Sequence, residues 1–432
     1  MLKAYRNRLL AVLVLVFFCV FAKAQTDGTY SGFSPYSIYG VGNLHSPGTA
    51  WNRGMGGVGI AARSHRFINI MNPASVTARD TLSFMADFGL DGRLALFSEG
   101  DKRTYNATFN IDDFVISFPM WNHTAFMVGL TPVSDVGYKV AYSELDKANL
   151  YTGRQSFSST GNGGIYQIFA AAGATFWNRL SIGAQANYSF GTINKLSSMS
   201  YEDDASRSWT YGDSLQVNNI TAKLGIQYEQ PLGRGSSITI GGTYKFSTRF
   251  NGYHTHYEVK GVDKTRQVNT LAQSGLRMGD EIGVGISYRK GEDLLVEFDY
   301  TRTDWSRSGL DGAVGFSNNG NMKFASSAGQ SFRIGTEFTP GRNDIRYFLR
   351  RCTYRAGAYY ESSYYTVDGA HVDAVGLTLG MTLPVFRWYN GLSVGLDFGR
   401  RALQASQIKE TYFGFNVGMN IFDIWFKKPH YE

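Results

Sequence analysis

Between residues 180 and 191 apolar and polar positions alternate with period two. Leu180, Ile182, Ala184, Ala186, Tyr188 and Phe190 share one face, while Ser181, Gly183, Gln185, Asn187, Ser189 and Gly191 share the other. The same split recurs at 220–229, where Ile220, Ala222, Leu224, Ile226 and Tyr228 oppose Thr221, Lys223, Gly225, Gln227 and Glu229. It returns with Val375, Leu377, Leu379, Met381 and Leu383, and again with Phe413, Phe415, Val417, Met419 and Ile421. This period belongs to strands with one apolar face, not to helices. Turn residues divide the pattern into about fourteen segments, near 82–97, 104–118, 124–142, 164–175, 180–196, 208–229, 237–259, 281–289, 293–305, 324–339, 346–366, 372–384, 392–401 and 410–425.

Length separates a membrane barrel from a soluble sandwich, whose strands also alternate. Many segments exceed the roughly 5–6 residues of a globular strand, and their apolar faces stay free of charge over the roughly 9–11 residues a tilted spanning strand needs. Trp177, Tyr201, Trp209, Tyr253, Tyr257, Trp305, Trp388 and Trp425 stand at segment ends, as interfacial girdles require. Tight turns (121–122, 177–179, 231–235, 290–291, 340–343, 386–390) alternate with long connections (143–163, 260–280, 306–323). Short periplasmic turns and longer external loops are the habit of bacterial barrels, and an even strand number puts both mature ends in the periplasm. The expected fold is therefore all-β, a transmembrane antiparallel β-barrel of about fourteen strands over 81–426. An N-terminal plug at 25–80 precedes it and a basic periplasmic tail at 427–432 follows.

The first 24 residues read as a Sec-type signal peptide. Lys3, Arg6 and Arg8 precede an apolar run at 9–21, too short to span as a helix, and Ala22-Lys23-Ala24 offers a cleavage site before Gln25. Phe18 stands before Cys19 where a lipoprotein signal needs a small residue, so no lipid anchor is expected. Without this segment 38 of the 42 Lys and Arg remain against 35 acids, a net charge of +3, which gives no reason to expect nucleic acid as a partner. Cys352 is then the single cysteine, which excludes an internal disulfide. Its alternation with Phe348, Tyr354 and Ala356 opposite Arg351, Thr353 and Arg355 places it on the lipid face. With 50 Gly, 27 Tyr and 30 Phe, the composition is one of strands and turns.

Residues 25–80 lack strand character. They contain Ser34-Pro35-Tyr36, then Arg53-Gly54-Met55-Gly56-Gly57-Val58-Gly59-Ile60-Ala61, then Met71-Asn72-Pro73-Ala74. That order ahead of about fourteen strands resembles the FadL family of outer-membrane transporters for long-chain fatty acids and other hydrophobic molecules. Ser34–Gly40 and Trp425-Phe426-Lys427-Lys428 look like its Bacteroidota branch. The resemblance implies an N-terminal hatch with its Asn-Pro-Ala motif on Asn72, Pro73 and Ala74. It also implies a kinked third strand forming a lateral opening. Here the third segment is interrupted by Thr131-Pro132-Val133-Ser134-Asp135, and Pro132 has no N–H to give a ladder. Two readings stand: a side exit at Thr131, Pro132, Ser134 and Asp135 with the hatch motif close by, or a turn near the rim.

Other motifs carry less. Gly54–Gly59 matches a dinucleotide fingerprint in letters, but no strand precedes it and no βαβ unit follows. His254-Thr255-His256 puts two imidazoles on one side of a strand, a spacing open to a metal, but beside Tyr253 and Tyr257 near an external strand end it reads as an ordinary girdle and loop, and no metal site is expected. The seven His show no nucleophile–base spacing, so neither an enzyme nor a cofactor is expected. The inward faces mix signs: Asp87, Asp91, Arg93, Lys223, Glu229, Lys245, Arg249, Glu297, Asp299, Arg333, Glu337, Arg351, Arg355, Asp397 and Arg401. Mixed signs suit ion pairs filling a plugged lumen better than a one-sign selectivity ring.

Two functions follow. The first is passive uptake of hydrophobic or amphiphilic, fatty-acid-like molecules across a Gram-negative outer membrane. The second is a structural subunit of an outer-membrane protein assembly or secretion complex. Expected partners are outer-membrane lipid, hydrophobic small molecules and, in the second case, complex subunits. A simple porin fits poorly with a plug-sized N-terminal segment.

Overall fold

The computed structural model of the chain describes residues 32–79, 83–145, 154–201, 208–260, 263–271, 275–313, 316, 318–319, 322–385, 391–403 and 408–424. The expected signal peptide and basic tail lie outside these residues. The N-terminal segment runs through a 3-10 turn (Pro35–Ile38), a two-residue strand β1 (Asn43–Leu44), a helix α1 (Ala50–Arg53) and a second 3-10 turn (Pro73–Ala78). Then come β2 (Ser83–Glu99), β3 (Lys102–Trp121), β4 (Thr124–Leu145) and β5 (Arg154–Phe176). They are followed by β6 (Leu180–Tyr201), β7 (Trp209–Gly233) and β8 (Ser236–Lys245). A hairpin of β9 (Asn251–Lys260) and β10 (Asp263–Thr270) interrupts the ring before β11 (Asp280–Lys290) and β12 (Leu294–Asp304). Short β13 (Asn318–Asn319) and β14 (Met322–Ser326) precede β15 (Ala328–Phe338). A helical turn α2 (Phe348–Arg351) leads to β16 (Thr353–Val367), β17 (Ala370–Pro384), β18 (Gly391–Leu403) and β19 (Lys409–Ile424). Pairing of β19 with β2 closes a ring of fourteen antiparallel strands among the described residues.

Burial along these strands is inverted relative to a soluble protein. On β6, β7 and β17 the apolar residues Ile182, Ile220, Leu224, Leu377 and Leu379 are exposed, while Ser181, Gln185, Asn187, Thr221 and Thr378 are buried. A continuous apolar outer band of this size has to be covered, and lipid covers it in a barrel whose interior is polar. The all-β, fourteen-strand expectation therefore holds.

Several details differ. The 237–259 segment is two strands, because β7 has 25 residues and outruns β8, which has 10. Beyond Lys245 the chain leaves the ring, and β9 instead pairs with the upper part of β7, from Trp209↔Lys260 to Asn218↔Asn251. Arg249 consequently sits past the end of β8 and is exposed, not inward on a spanning strand. The 143–163 connection is shorter than expected, since β4 and β5 pair up to Leu145↔Arg154.

Residues 346–352 are not strand either. Asp344 accepts hydrogen bonds from the backbone N–H groups of Arg346 (2.8 Å) and Tyr347 (2.9 Å), a local bond that competes with the ladder and folds the chain into α2. Arg351 therefore lies in a turn and not on an inward strand face. Cys352 caps α2 and is fully buried, with Sγ 3.6 Å from the Phe348 carbonyl, so it does not face lipid.

Candidate functional site

The wall is weakest between β3 and β4. Their pairing runs from Trp121↔Thr124 only to Phe114↔Leu130, and above that level no pairing joins them among the described residues. A bulge sits on each strand where they part. On β3 the register against β2 steps from Gly89↔Asp113 to Leu90↔Ile111, leaving Asp112 as the extra residue. On β4 the register against β5 steps from Pro132↔Tyr166 to Ser134↔Ile165, leaving Val133 extra. A bulge bends its strand and adds twist, so two at one height drive the pair apart. The β3 bulge also turns two consecutive carboxylates, Asp112 and Asp113, into the interior, where both are almost fully buried.

The freed edge of β4 is taken by the N-terminal segment. Asn43 and Leu44 of β1 pair antiparallel with Asp135 and Ser134, and His45 N–H donates to the Val133 carbonyl (3.0 Å). Lower in the segment, Ser34 N–H donates to the Gly137 carbonyl (2.8 Å), and Ser37 Oγ accepts from Gly137 N–H (3.1 Å). Thr131, Pro132, Ser134 and Asp135 thus lie at the part of the wall that parts from β3. Across the seam, Arg53 pairs with Asp112 and with Asp91 (3.0 Å), and His45 Nε2 lies 2.7 Å from Asp112 Oδ1. Burial and the Arg53 charge push the His45 pKa down, but hydrogen bonds to Asp112 and Asp135 outweigh them and leave it above its ordinary value.

The rest of the segment is fastened to the opposite wall. Asp299 Oδ2 accepts from Gly59 (2.7 Å) and Ile60 (3.0 Å) N–H, and Glu297 Oε1 accepts from Ala61 (2.7 Å) and Ala62 (2.8 Å) N–H. Trp51 Nε1 donates to Glu337 Oε2 (2.7 Å), which also receives Arg355 Nε (2.9 Å). Glycines on the inner wall permit this closeness: a Cβ on Gly357 would strike the Met55–Gly56 peptide, and one on Gly183 the Pro73–Ala74 peptide.

Asn72 is buried and acts locally. Its Oδ1 accepts from Ala74 N–H (3.0 Å), capping the 3-10 turn, and its Nδ2 donates to the carbonyls of Ile60 (2.8 Å) and Ile226 (3.2 Å). Asn72, Pro73 and Ala74 therefore rest on β5, β6 and β7 near Gly173, Gly183 and Gly225. They are not packed beside Pro132–Asp135, which face β1 instead.

Inside, a cavity of about 290 Å³ lies between the segment and the outer half of the wall. Lys223, Lys245, Glu281 and Arg333 line it beside apolar Ile70, Met71 and Met278, a mixed lining. Outward of it, Tyr36, Tyr39 and Val41 join Phe316, Phe324 and Tyr365 in an apolar cluster. His254 and His256 both turn to Asp213 Oδ1 (3.0 and 2.8 Å). Sequence reading missed the Asp112 bulge, although two adjacent aspartates on one strand cannot both face a lumen without one.

A family model described as BamG matches residues 1–432. The chain belongs to the BamG family. No curated protein matches it. Among solved structures, the CymD monoaromatic hydrocarbon channel aligns with a TM-score of 0.56 at 15% identity, covering 90% of this chain and 100% of that one. The toluene transporter TodX of P. putida gives 0.56 at 13% identity (89% and 100% covered). A Pseudomonas aeruginosa FadL homologue gives 0.55 at 11% (89% and 100%). At these identities the likeness establishes that this BamG-family chain has the FadL-type barrel fold.

Proposed function

We propose that this BamG-family barrel sits in the outer membrane and admits hydrophobic or amphiphilic molecules passively, releasing them sideways between β3 and β4. The observation that carries the reading is the parted seam above Phe114↔Leu130, covered from within, among the described residues, by β1 and its neighbours. Residues 32–47 would act as the moving cover and 49–79 as the fixed part of a hatch. The structurally similar monoaromatic hydrocarbon channel and toluene transporter support the substrate class.

Antiparallel partners Asn43 and Asp135 stand at a spacing a disulfide can bridge, and buried Cys352 offers no competing thiol. With Asn43→Cys and Asp135→Cys oxidised, uptake of labelled oleate and toluene should fall about tenfold and return on reduction, as expected if one gate limits flux. Unchanged uptake with the crosslink formed removes the lateral route.

A second reading, a structural subunit of an outer-membrane assembly or secretion complex, is favoured by a different observation. The segment is fixed by buried carboxylates, and Lys223, Lys245, Glu281 and Arg333 stand in the lining of the remaining cavity, so apolar cargo crossing the bore would meet charged side chains. Stoichiometric co-purification with the barrel-assembly core after mild detergent extraction, together with no uptake defect on deletion, selects this reading.

A further inference from the structure

The short-turn end of the barrel, periplasmic by the turn-length rule, carries a second cavity of about 440 Å³. Arg63, Arg79 and Arg289 line it with Glu229 and Glu292. Both acids are already engaged. Glu229 pairs with Arg63 (3.3 Å), and Glu292 pairs with His65 (3.3 Å) and with Arg342. That leaves two guanidinium groups without an ion pair among the described residues, with Arg289 still within electrostatic reach of Glu337. Arg289 donates to the Arg63 carbonyl (2.7 Å) and makes no ion pair among the described residues. Arg79 donates through Nε to the Val76 carbonyl (2.8 Å), while its buried Nη1 has no hydrogen-bond partner. Burial pulls the Arg79 pKa down to about 10, the mark of a cation lacking a counter-charge.

Beside this cavity, joined to it by the Arg342–Glu292 pair, lies the turn 339–352. It is held in shape by the Asp344 hydrogen bonds and by Tyr354 OH donating to the Leu349 carbonyl (3.0 Å). That rigid turn presents Ile345, 97% exposed, and Leu349, 64% exposed, with Arg346 between them in sequence. A charged hollow next to an ordered apolar shelf is unlike the described turns at 122–123, 177–179, 234–235 and 291–293, each two or three residues long.

We propose that the periplasmic end of the barrel is a docking site for an acidic, partly apolar segment of a periplasmic protein. Its carboxylates enter the cavity at Arg79 and Arg289, and its apolar side chains rest on Ile345 and Leu349. Charge complementarity selects a carboxylate-rich occupant. A peptide fits better than lipid because inward-facing Thr239 and Ser287 line the cavity, placing it under the bore and not on the lipid-facing wall. A free phosphate would leave most of the volume and all of the apolar shelf unused. The site is separate from the β3–β4 seam and stands whichever function that seam serves.

The test uses the full-length barrel in non-ionic detergent and a fluorescent octapeptide alternating glutamate with leucine, read by anisotropy. Binding should weaken about tenfold in Arg79→Gln and in Arg289→Gln, and several-fold in Ile345→Ser with Leu349→Ser, as loss of a charge pair or an apolar anchor predicts. Arg79→Lys should retain most of it, and heat-modifiable migration in gels reports that each variant is folded. Raised salt should weaken binding, and the peptide with glutamine in place of glutamate should not bind. Equal binding of the glutamine peptide, or unchanged binding in both arginine variants, overturns the proposal. So does displacement of the peptide by millimolar inorganic phosphate, or Arg79-dependent binding to phosphatidylglycerol nanodiscs in place of the peptide.

Discussion

Two seams of this barrel, β19–β2 and β3–β4, are both antiparallel and end differently. The first joins the last described strand to the first described strand of the ring and is unbroken from Lys409↔Ser98 to Ile424↔Ser83. The second joins strands adjacent in sequence through a two-residue turn, yet stops at Phe114↔Leu130. Sequence-local pairing should be the easier one to complete, because its loop closes at the smaller entropic cost. The difference shows that bulges, not chain connectivity, set where the wall parts. Asp112 and Val133 each remove one step of register, and the N-terminal segment supplies the missing partner for β4.

The largest effect on the β3–β4 seam is expected at Arg53. Its guanidinium is the counter-charge for the buried Asp112 and for Asp91, and α1 holds it there. Arg53→Met strips that charge and should cost about 3–5 kcal/mol locally, the penalty for leaving a buried carboxylate unpaired. Hydrogen exchange should then speed up across 43–57 and the upper part of β4, while the β19–β2 amides keep their protection. Asp112→Asn in the same chain should restore much of the loss. Equal loosening of both seams would show that Arg53 supports the barrel as a whole.

A smaller effect is expected at the fixed end of the segment. Glu297→Ala removes the acceptor of the Ala61 and Ala62 N–H groups, both buried, at about 1–3 kcal/mol for each group left unsatisfied. Exchange at 59–62 should rise with the β3–β4 seam unchanged, separating the fastened part of the segment from the part that covers the wall. Coupled loosening at 43–45 would mean that the segment moves as one body.

How far these features could be read in advance follows from what sets them. Period-two alternation made the fourteen strands legible because burial on one face and lipid on the other dictate it residue by residue. Pro132 marked the wall's irregular stretch for a local reason, its missing N–H. The partner features were hidden because they depend on residues far apart in sequence. Nothing near Asn43 or Leu44 announces that they pair with Asp135 and Ser134, about ninety residues on. Asn72-Pro73-Ala74 was visible as a motif, but its resting place on β5–β7 is set by wall glycines at 173, 183 and 225. Cys352 and Arg351 were misplaced because the alternation of Thr353 to Tyr360 does not extend back through 346–352, where the Asp344 side chain captures the backbone.

The finest distinction between the seams is their response to pH. The β19–β2 seam has no histidine among its paired residues, whereas the cover of β3–β4 carries His45 against Asp112, with its pKa above the ordinary 6.5. A histidine whose folded pKa is raised binds its proton more tightly in the folded state. Its contribution is therefore complete below about pH 6.5 and is lost as pH rises through the higher, folded value. The stake is about one hydrogen bond to a charged group, ~1–2 kcal/mol. Exchange at 43–45 should accordingly quicken between pH 6.5 and alkaline pH, beyond the intrinsic rate change, and the same residues should be steadier at pH 5.5. His45→Gln should flatten that dependence while leaving Arg53 on Asp112. If the variant and the parent show the same profile, the titrating group is not His45, and the pH response belongs to the carboxylates of the seam.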